Sequence, residues 1–554
     1  MHGTLGRLSS VWGSAMRCRL LLVALQLVPF CYGQQAGLVP DVQNQAPVRT
    51  VTGTVTNAVS GVPIRHALVQ ASGILPAAVL TGPDGRFRFD NIPEGQLLIS
   101  VQKPGFFDAR SIPGVSQRQA NPFVMVGSGK NDFRIALSPA ARIVGRVTDA
   151  DGEAAENISV QVLREPIVQG RKLLATQSGT TTDDDGSYRI EGLIPGRYKV
   201  FANGHLLPAS SWNAPPEVSV PAYYPDSRDL ASAQQIELAA AEEYHADFHL
   251  HSERGFRVVA AVGGLPNPPN VGFSLENASG QGVMFGAMSF DQSKSQFVAQ
   301  AVPSGTWTLV FSANDGRANS YEGRNEIMVD DADVTDLQFT MHPLASIPVK
   351  VNHAVNKGQL ETEGADTALN ASLNSVEPSR YSTYGLQVQG SPPLATFSNV
   401  AAGKYKLNAQ SFGSECLESA RYGNVDLTRD YLIVGSIVDP QTLTINLRGD
   451  CATLNVKLQP GEQPRIGLVL IVGSSLAAEP ETMPLQAPTP AQPANGSMSL
   501  TLSPGSYQVY AFSSVDGLEY ANPEALRGYP SQTVNLEPGQ KAEITLELIE
   551  PKGN

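Results

Sequence analysis

Four side chains that can bind metal ions alternate with apolar ones between positions 245 and 251. They are His245, Asp247, His249 and His251, and in a β-strand residues two apart lie on the same face. Imidazole and carboxylate groups arranged in this way could hold zinc or copper. Same-face neighbours on a strand lie about 7 Å apart, so only adjacent pairs could converge on one ion. The spacing favours the alternative, in which the four residues form the solvent-exposed face of a closing strand.

Three aromatic residues in a proline-rich segment could bind a sugar. Trp212, Tyr223 and Tyr224 lie within residues 208–225, where a loop could expose their rings for stacking against carbohydrate. The alternative is a loop that packs back over its own domain, as large aromatic residues usually do. Trp307 is left out of this platform, because the repeat described below aligns it with core positions.

An acidic run at 183–186, Asp-Asp-Asp-Gly, resembles the start of a calcium-binding loop. The EF-hand register fails, because Thr181 stands where the first Asp belongs and Gly192 where the bidentate Glu belongs. Asp and Gly favour turns by themselves. The run therefore predicts a solvated turn, and no cofactor is expected.

The sequence lacks the residue patterns of several hydrolase and redox classes. None of the eight histidines is followed three residues later by Glu, as the zinc pair of a metallocarboxypeptidase requires. It also contains no Gly-x-Ser-x-Gly elbow and no Cys-x-x-Cys pair. No catalytic residue can be assigned, and we expect the protein not to be an enzyme.

The first 33 residues have the pattern of a secretory signal peptide. Three arginines precede a mostly apolar run over residues 20–30, and the small Gly33 follows. Eleven residues are too few to span the roughly 30 Å hydrocarbon core of a bilayer. We therefore expect cleavage after Gly33, no membrane span afterwards, and a periplasmic, cell-surface or extracellular protein.

Only two cysteines, Cys416 and Cys451, lie beyond the signal peptide. In an oxidising compartment such a pair usually forms a disulfide rather than two free thiols. The bond would close a loop of 35 residues, a size for which about 3–4 kcal/mol of stabilisation is typical.

The chain is acidic, with a formal net charge of −13. Loss of the signal peptide removes arginines and no acidic residue, so the mature protein is more acidic still. Nucleic acids and anionic membranes attract clusters of Lys and Arg, which this chain lacks. We expect no nucleic-acid partner; a polysaccharide or another surface protein is the expected kind of partner.

One pattern recurs five times: apolar residues at alternate positions, then a glycine that opens another alternating strand. The glycines are 101, 109, 98 and 102 residues apart, which is the size of a small β-sandwich domain. The repeat predicts an all-β chain, a tandem array of about five antiparallel β-sandwich modules of transthyretin-like or immunoglobulin-like type. The aligned glycines are Gly95, Gly196, Gly305, Gly403 and Gly505.

The repeat also sets the expected boundaries. We expect a signal peptide at 1–33, a flexible leader at 34–47, and modules at 48–138, 139–250 (with a loop insertion), 251–343, 344–448 and 449–554.

The first two modules resemble the carboxypeptidase regulatory-like domain. The motif is Gly-x-Val-Thr at 53–56, followed by Thr-x-x-Asp-Gly-x-Phe-x-Phe at 81–89. It recurs at 145–148 and 182–190, with Tyr188 and Ile190 in place of the two phenylalanines. The resemblance implies a prealbumin- or transthyretin-like sandwich of the carbohydrate-binding-like fold group, with an accessory role and no catalytic residues. The whole chain is similar to secreted multi-module proteins of acidobacteria.

Together these patterns favour a non-enzymatic exported scaffold or binding protein of the cell surface or periplasm, with the modules strung as a rod. One alternative is a carbohydrate-binding protein that uses the aromatic platform. The other is an accessory subunit of a peptidase or transporter, which only the resemblance implies.

Overall fold

The computed structural model describes residues 47–550 with gaps, and the description is almost entirely β-structure. The described part contains 47 strands, one 3₁₀ turn at Leu230–Ser232 and one short helix, α1, at Pro523–Leu526. None of its helices is long and apolar enough to cross a membrane. The predicted signal peptide and the predicted leader, apart from residue 47, lie outside the described residues. Also outside are 73–75, 109–122, 128–130, 169, 208–214, 267–269, 284, 286, 317–318, 354–368, 378–380, 390–393, 412–414, 437–440, 461–465, 474, 476–480, 487–496, 514, 516 and 551–554.

The first module, residues 48–138, has two four-stranded sheets over one apolar core. Its strands are β1 Val48–Asn57, β2 Leu68–Ser72, β3 Ala77–Leu80, β4 Arg86–Pro93, β5 Gly95–Gln102, β6 Phe106–Asp108, β7 Phe123–Val126 and β8 Asp132–Pro139. The orders are β4-β1-β8-β6 and β3-β2-β5-β7. In β4, Phe87 and Phe89 are buried while Arg86 and Arg88 are exposed, as alternation predicts. β1 pairs antiparallel with β4 but parallel with β8.

The second module repeats this plan around a new first strand. Its strands are β9 Ala141–Thr148, β10 Ser159–Arg164, β11 Ile167–Val168, β12 Arg171–Lys172, β13 Ala175–Thr181, β14 Ser187–Leu193, β15 Gly196–Ala202, β16 Glu217–Ser219, β17 Ala222–Tyr223, β18 Ile236–Leu238, β19 Glu243–His245 and β20 Phe248–His249. β14 pairs antiparallel with β9, and β19 and β20 both pair parallel with it. The other sheet runs β13-β10-β15-β17. Part of the predicted loop insertion forms the hairpin β11-β12.

The third module has a four-stranded and a five-stranded sheet. Its strands are β21 Ser252–Arg254, β22 Phe256–Gly263, β23 Asn270–Glu276, β24 Gly282–Val283, β25 Met288–Asp291, β26 Gln296–Val302, β27 Gly305–Asn314, β28 Ser320–Val329, β29 Val334–Thr340 and β30 His342–Pro343. The orders are β25-β26-β22-β29 and β24-β23-β27-β28-β30. β21 pairs instead with β16 of the second module.

The fourth and fifth modules keep the same central arrangement, a first strand between an antiparallel and a parallel neighbour. The fourth module comprises β31 Ala345–Asn352, β32 Leu369–Ser375, β33 Thr383–Gly385, β34 Gln387–Gln389, β35 Leu394–Val400, β36 Gly403–Ser411, β37 Cys416–Tyr422, β38 Val425–Asp426, β39 Leu432–Val434 and β40 Leu443–Arg448. The fifth comprises β41 Ala452–Leu458, β42 Ile466–Gly473, β43 Glu481–Gln486, β44 Ser497–Leu502, β45 Gly505–Phe512, β46 Gln532–Leu536 and β47 Lys541–Leu546.

The sequence repeat corresponds to a corner of the chain that recurs in every module, at the start of one strand. Each of the five aligned glycines begins a strand, and at Gly95 and Gly305 φ is +136° and +141°, a conformation that favours glycine. Two residues later the side chain is buried, as predicted for Trp307. In four modules this side chain donates a hydrogen bond to the carbonyl four residues earlier, which satisfies its buried polar atom. The bonds are Tyr198 to Ile194 (2.5 Å), Trp307 to Pro303 (3.0 Å), Tyr405 to Ala401 (2.9 Å) and Tyr507 to Ser503 (2.6 Å).

The second and third modules share one apolar core. Leu163, Phe201, Tyr223 and Ala233 of the second module belong to the same buried cluster as the interior of the third. The physical reason is that the sheet containing β15 and β17 carries apolar side chains on its outer side as well. Those side chains are covered by the neighbouring module.

The fifth module also contacts the second, although two modules lie between them in sequence. The backbone N–H of Ala521 donates to the carbonyl of Gly170, at the tip of the β11-β12 hairpin, over 3.0 Å. A Cβ placed on Gly170 would lie 2.5 Å from the ring of Tyr520, so the approach requires glycine.

Candidate functional site

The histidine strand lies at the edge of the second module, with its polar side chains facing outward. β19 and β20 are interrupted at positions 246 and 247, where the carbonyl of Ala246 lies over Gly145. His245, Asp247 and His249 are exposed, while Ala246 is fully buried. The arrangement matches the solvent-facing alternative.

Each of the four predicted metal ligands has a different neighbour. His245 Nε2 lies 3.5 Å from a carboxylate oxygen of Glu243, and His251 Nε2 lies 2.9 Å from Asp226 Oδ2. His249 Nδ1 lies 3.2 Å from the Thr148 hydroxyl, and Asp247 Oδ1 accepts the backbone N–H of Arg146 at 2.8 Å. Across the described part of the chain, no three His, Cys, Asp or Glu side chains form a metal-binding group. Metal binding at this strand stays a prediction.

A shallow charged groove of about 600 Å³ runs beside this strand. Its floor includes Tyr188, whose hydroxyl donates to the Ala246 carbonyl at 2.5 Å. Burial raises the pKa of Tyr188 well above its usual value, which keeps the phenol neutral. The charged side chains that line the groove are Arg146, Asp183, Arg189, Glu243, His245 and Asp247.

The acidic run at 183–186 forms the turn that its composition predicts. The backbone N–H of Ser187 donates to Asp183 Oδ1 at 2.7 Å and to Asp185 Oδ1 at 2.9 Å. Hydrogen bonding from Ser187 lowers the pKa of Asp185. These carboxylates therefore hold the turn that precedes β14.

The prediction of an exposed aromatic platform is wrong for one of its three members, Tyr223. Tyr223 is fully buried, because β17 adds to the sheet beside β15 and places its ring 4.8 Å from Phe201. Its hydroxyl lies 2.8 Å from Ser279 Oγ and accepts from Asn277 Nδ2 at 3.0 Å. Tyr223 is thus part of the junction with the third module and cannot stack on a sugar.

The prediction stays open for the other two members of the platform, Trp212 and Tyr224. Tyr224 is half-buried, and its ring packs edge-on against Tyr244 and Phe248 at 6.2 and 5.8 Å. Trp212 lies outside the described residues. Sugar binding at these two residues stays a prediction.

A disulfide joins Cys416 to Cys451, as expected from the cysteine count. Cys416 begins β37 of the fourth module, and Cys451 directly precedes β41 of the fifth. Beside it, the hydroxyl of Ser503 donates to the carbonyl of Leu417 at 2.8 Å. The fourth and fifth modules are therefore connected covalently as well as by the chain.

Sequence reasoning missed a cleft between the second and fifth modules. The cleft has a volume of about 360 Å³ and contains Arg164 at the end of β10. Val515 and Glu519 line its other side. No local pattern singles out Arg164, since its surroundings depend on a segment 350 residues away in sequence. The contact at Gly170 lies between the same two modules.

Comparison with known families confirms the resemblance of the first two modules. Residues 50–123 and 142–211 match the model of the carboxypeptidase regulatory-like domain. Sequence comparison with curated proteins finds no match.

Solved structures similar to this chain include bacterial pilins. The minor pilin GBS52 of Streptococcus agalactiae is 11% identical, with 37% of this chain and 96% of the pilin covered and a TM-score of 0.20. The major pilin subunit BcpA of Bacillus cereus is also 11% identical, with 72% and 99% covered and a TM-score of 0.14. The Bacillus anthracis TIE protein is 10% identical, with 91% and 68% covered and a TM-score of 0.15. TM-scores this low carry no functional argument.

Proposed function

We propose that this protein is a non-enzymatic, exported scaffold whose β-modules hold one another in place and present surfaces to a partner outside the cytoplasm. The observation that carries the proposal is the construction of the junctions. One junction is a shared apolar core around Tyr223, and another contains the Cys416–Cys451 disulfide. Apolar and covalent junctions of this kind restrict motion between domains, which suits a protein that displays binding surfaces at set positions.

Export is tested by producing the chain with and without residues 2–33 in a bacterium and fractionating the cells. We expect the complete chain to leave the cytoplasm and lose residues 1–33, with Cys416 and Cys451 resistant to alkylation until they are reduced. The truncated chain is the matched control and should stay in the cytoplasm with free thiols. Recovery of both forms in the cytoplasm would contradict export.

The proposed partner is a polysaccharide or another surface protein. A glycan array and a pull-down from cell-envelope extract, both with the mature protein, test this assignment. Trp212→Ala is the informative variant for sugar binding, and Trp307→Phe is the matched control because Trp307 is buried. Loss of glycan binding in Trp212→Ala alone would support the predicted sugar site. A turnover activity that follows the purified protein and is abolished by one substitution would refute the non-enzymatic assignment.

A further inference from the structure

Two short paired segments join the second module to the third beside their shared apolar core. The residues that follow β15 run alongside β16, and the backbone N–H of Ser219 donates to the carbonyl of His205 at 2.9 Å. β16 pairs in turn with β21 at the start of the third module. A Cβ on Gly204 would lie 2.9 Å from the ring of Phe285, which belongs to the shared core. His205 therefore lies at the junction of the two modules.

The imidazole of His205 is placed where its charged form is poorly accommodated. Its Nδ1 is inaccessible to solvent and has no hydrogen-bond partner in the described part of the chain. Both ring nitrogens of an imidazolium carry an N–H, so a proton would leave a buried donor at Nδ1 without an acceptor, which is costly. Ser219 Oγ, on the facing segment, is also buried without a partner, so it does not supply that acceptor. The closed junction therefore favours neutral His205.

The charges near His205 offset its burial only in part. Burial lowers the pKa of His205, and the carboxylate of Asp149, in the turn after β9, acts in the opposite direction. That carboxylate already accepts the backbone N–H groups of Asp151 and Glu153, each at 3.0 Å. Burial is therefore the larger effect, and it opposes protonation. The other ionisable residues on the segments that pair at this junction are Glu217 in β16, His251 directly before β21, and Glu253 and Arg254 in β21.

We propose that His205 makes the junction between the second and third modules sensitive to acid, so that the junction opens when this side chain gains a proton. Opening exposes Nδ1 to water, which supplies the acceptor that the closed junction lacks. An exposed histidine has a pKa of about 6.5, and the closed junction lowers it. The contribution of His205 to a closed junction is therefore complete above about pH 6.5 and is lost as the pH falls below that value. The inference does not depend on export or on the scaffold assignment.

Hydrogen exchange at the backbone N–H of Ser219 tests the proposal, because this group donates to His205 within the junction. Its protection factor is measured in the mature chain between about pH 7 and pH 5, where ordinary carboxylates stay ionised. We expect protection to fall by up to about tenfold per pH unit below pH 6.5. The N–H of Val55, which donates to Gly85 in the first module at 2.8 Å, is the internal control and should keep its protection. Constant protection at Ser219, or an equal loss at both groups, would overturn the proposal.

Variants assign the pH dependence to one histidine. His205→Gln keeps a polar side chain that cannot gain a proton, so it should abolish the loss of protection at Ser219. His66→Asn is the control, since His66 is exposed in the first module and has a φ of +53°, which asparagine tolerates; it should keep the loss. The same pH dependence in His205→Gln as in the unaltered chain would refute the proposal.

A measurement on the unaltered chain decides if His205→Gln fails to fold. Exchange of the histidine C2 hydrogens, followed by mass spectrometry, reports the titration of each imidazole separately. The midpoint for His205 should lie at a lower pH than that for the exposed His66. A midpoint for His205 equal to or above that of His66 would contradict the proposal.

Discussion

Replacement of Tyr223 should destabilise two modules at once. Tyr223 belongs to the second module, is fully buried and packs in the core of the third. Tyr223→Ala removes the whole ring, and truncation of a buried aromatic residue typically costs about 3–5 kcal/mol. Tyr223→Phe keeps the ring but leaves Asn277 Nδ2 without its acceptor, for which about 1–2 kcal/mol is expected. The ratio of the two losses separates packing from hydrogen bonding.

The third module carries its own reporter for this experiment. Trp307 is buried and its ring lies 5.0 Å from Phe285 in the shared core. With the signal peptide removed, a Trp212→Phe background leaves Trp307 as the single tryptophan. Urea unfolding followed by its fluorescence therefore reports on the third module. At a typical dependence of 1–3 kcal/mol per molar urea, Tyr223→Ala should lower the midpoint by about 1–5 M.

The control for this prediction is Val55→Ala. Val55 is fully buried in the first module, whose apolar cluster is separate from that around Trp307. It should lower the stability of the first module and leave the Trp307 transition in place. If Tyr223→Ala also leaves that transition unmoved, the two modules unfold independently. The shared core would then not couple them, and the argument for a rigid junction would fail.

Three further predictions concern other contacts. Reduction of the Cys416–Cys451 disulfide should lower the free energy of unfolding of this region by about 3–4 kcal/mol, which denaturant titration with and without reductant would measure; a Cys451→Ser variant should be insensitive to reductant. Burial raises the pKa of Tyr188 above its unfolded value, so its stabilising contribution is complete below about pH 10 and is lost as the pH rises further. Tyr188→Phe should flatten that alkaline loss in thermal melts, and an equally steep loss in the variant would exclude Tyr188 as its source. Gly170→Val should break the contact with Ala521, which hydrogen exchange at that amide would reveal as faster exchange; unchanged exchange would contradict the contact.

The sequence predicts the interior of each module well because a β-strand reveals its buried face through alternation. Phe87 and Phe89 alternate with arginines and are buried as expected. The repeat predicts that Trp307 lies in a core, and its side chain is buried. Such assignments require only local pattern and the two-residue period of a strand. They also hold in the third to fifth modules, which lie outside the residues that match the family model.

Contacts between modules could not be predicted in the same way. Tyr223 lies in a proline-rich segment whose local pattern indicates an exposed loop. It is buried because it pairs across from Phe201 and because Asn277 and Ser279 of the next module cover it. The cleft between the second and fifth modules depends likewise on residues far apart in the sequence. Neither arrangement produces a periodic pattern in the sequence, because the residues in contact come from separate modules.

The division between repeat and junction residues bears on function. The corner residues recur because every sandwich must turn its chain in the same way, and they indicate nothing about a partner. Tyr223, Gly170 and Cys451 lie outside the repeat, and each joins one module to another. Arg164 lies at the end of β10, in a cleft whose other side is lined by residues of the fifth module. The properties particular to this chain are therefore encoded between the repeats, and substitutions there should change how the modules are joined.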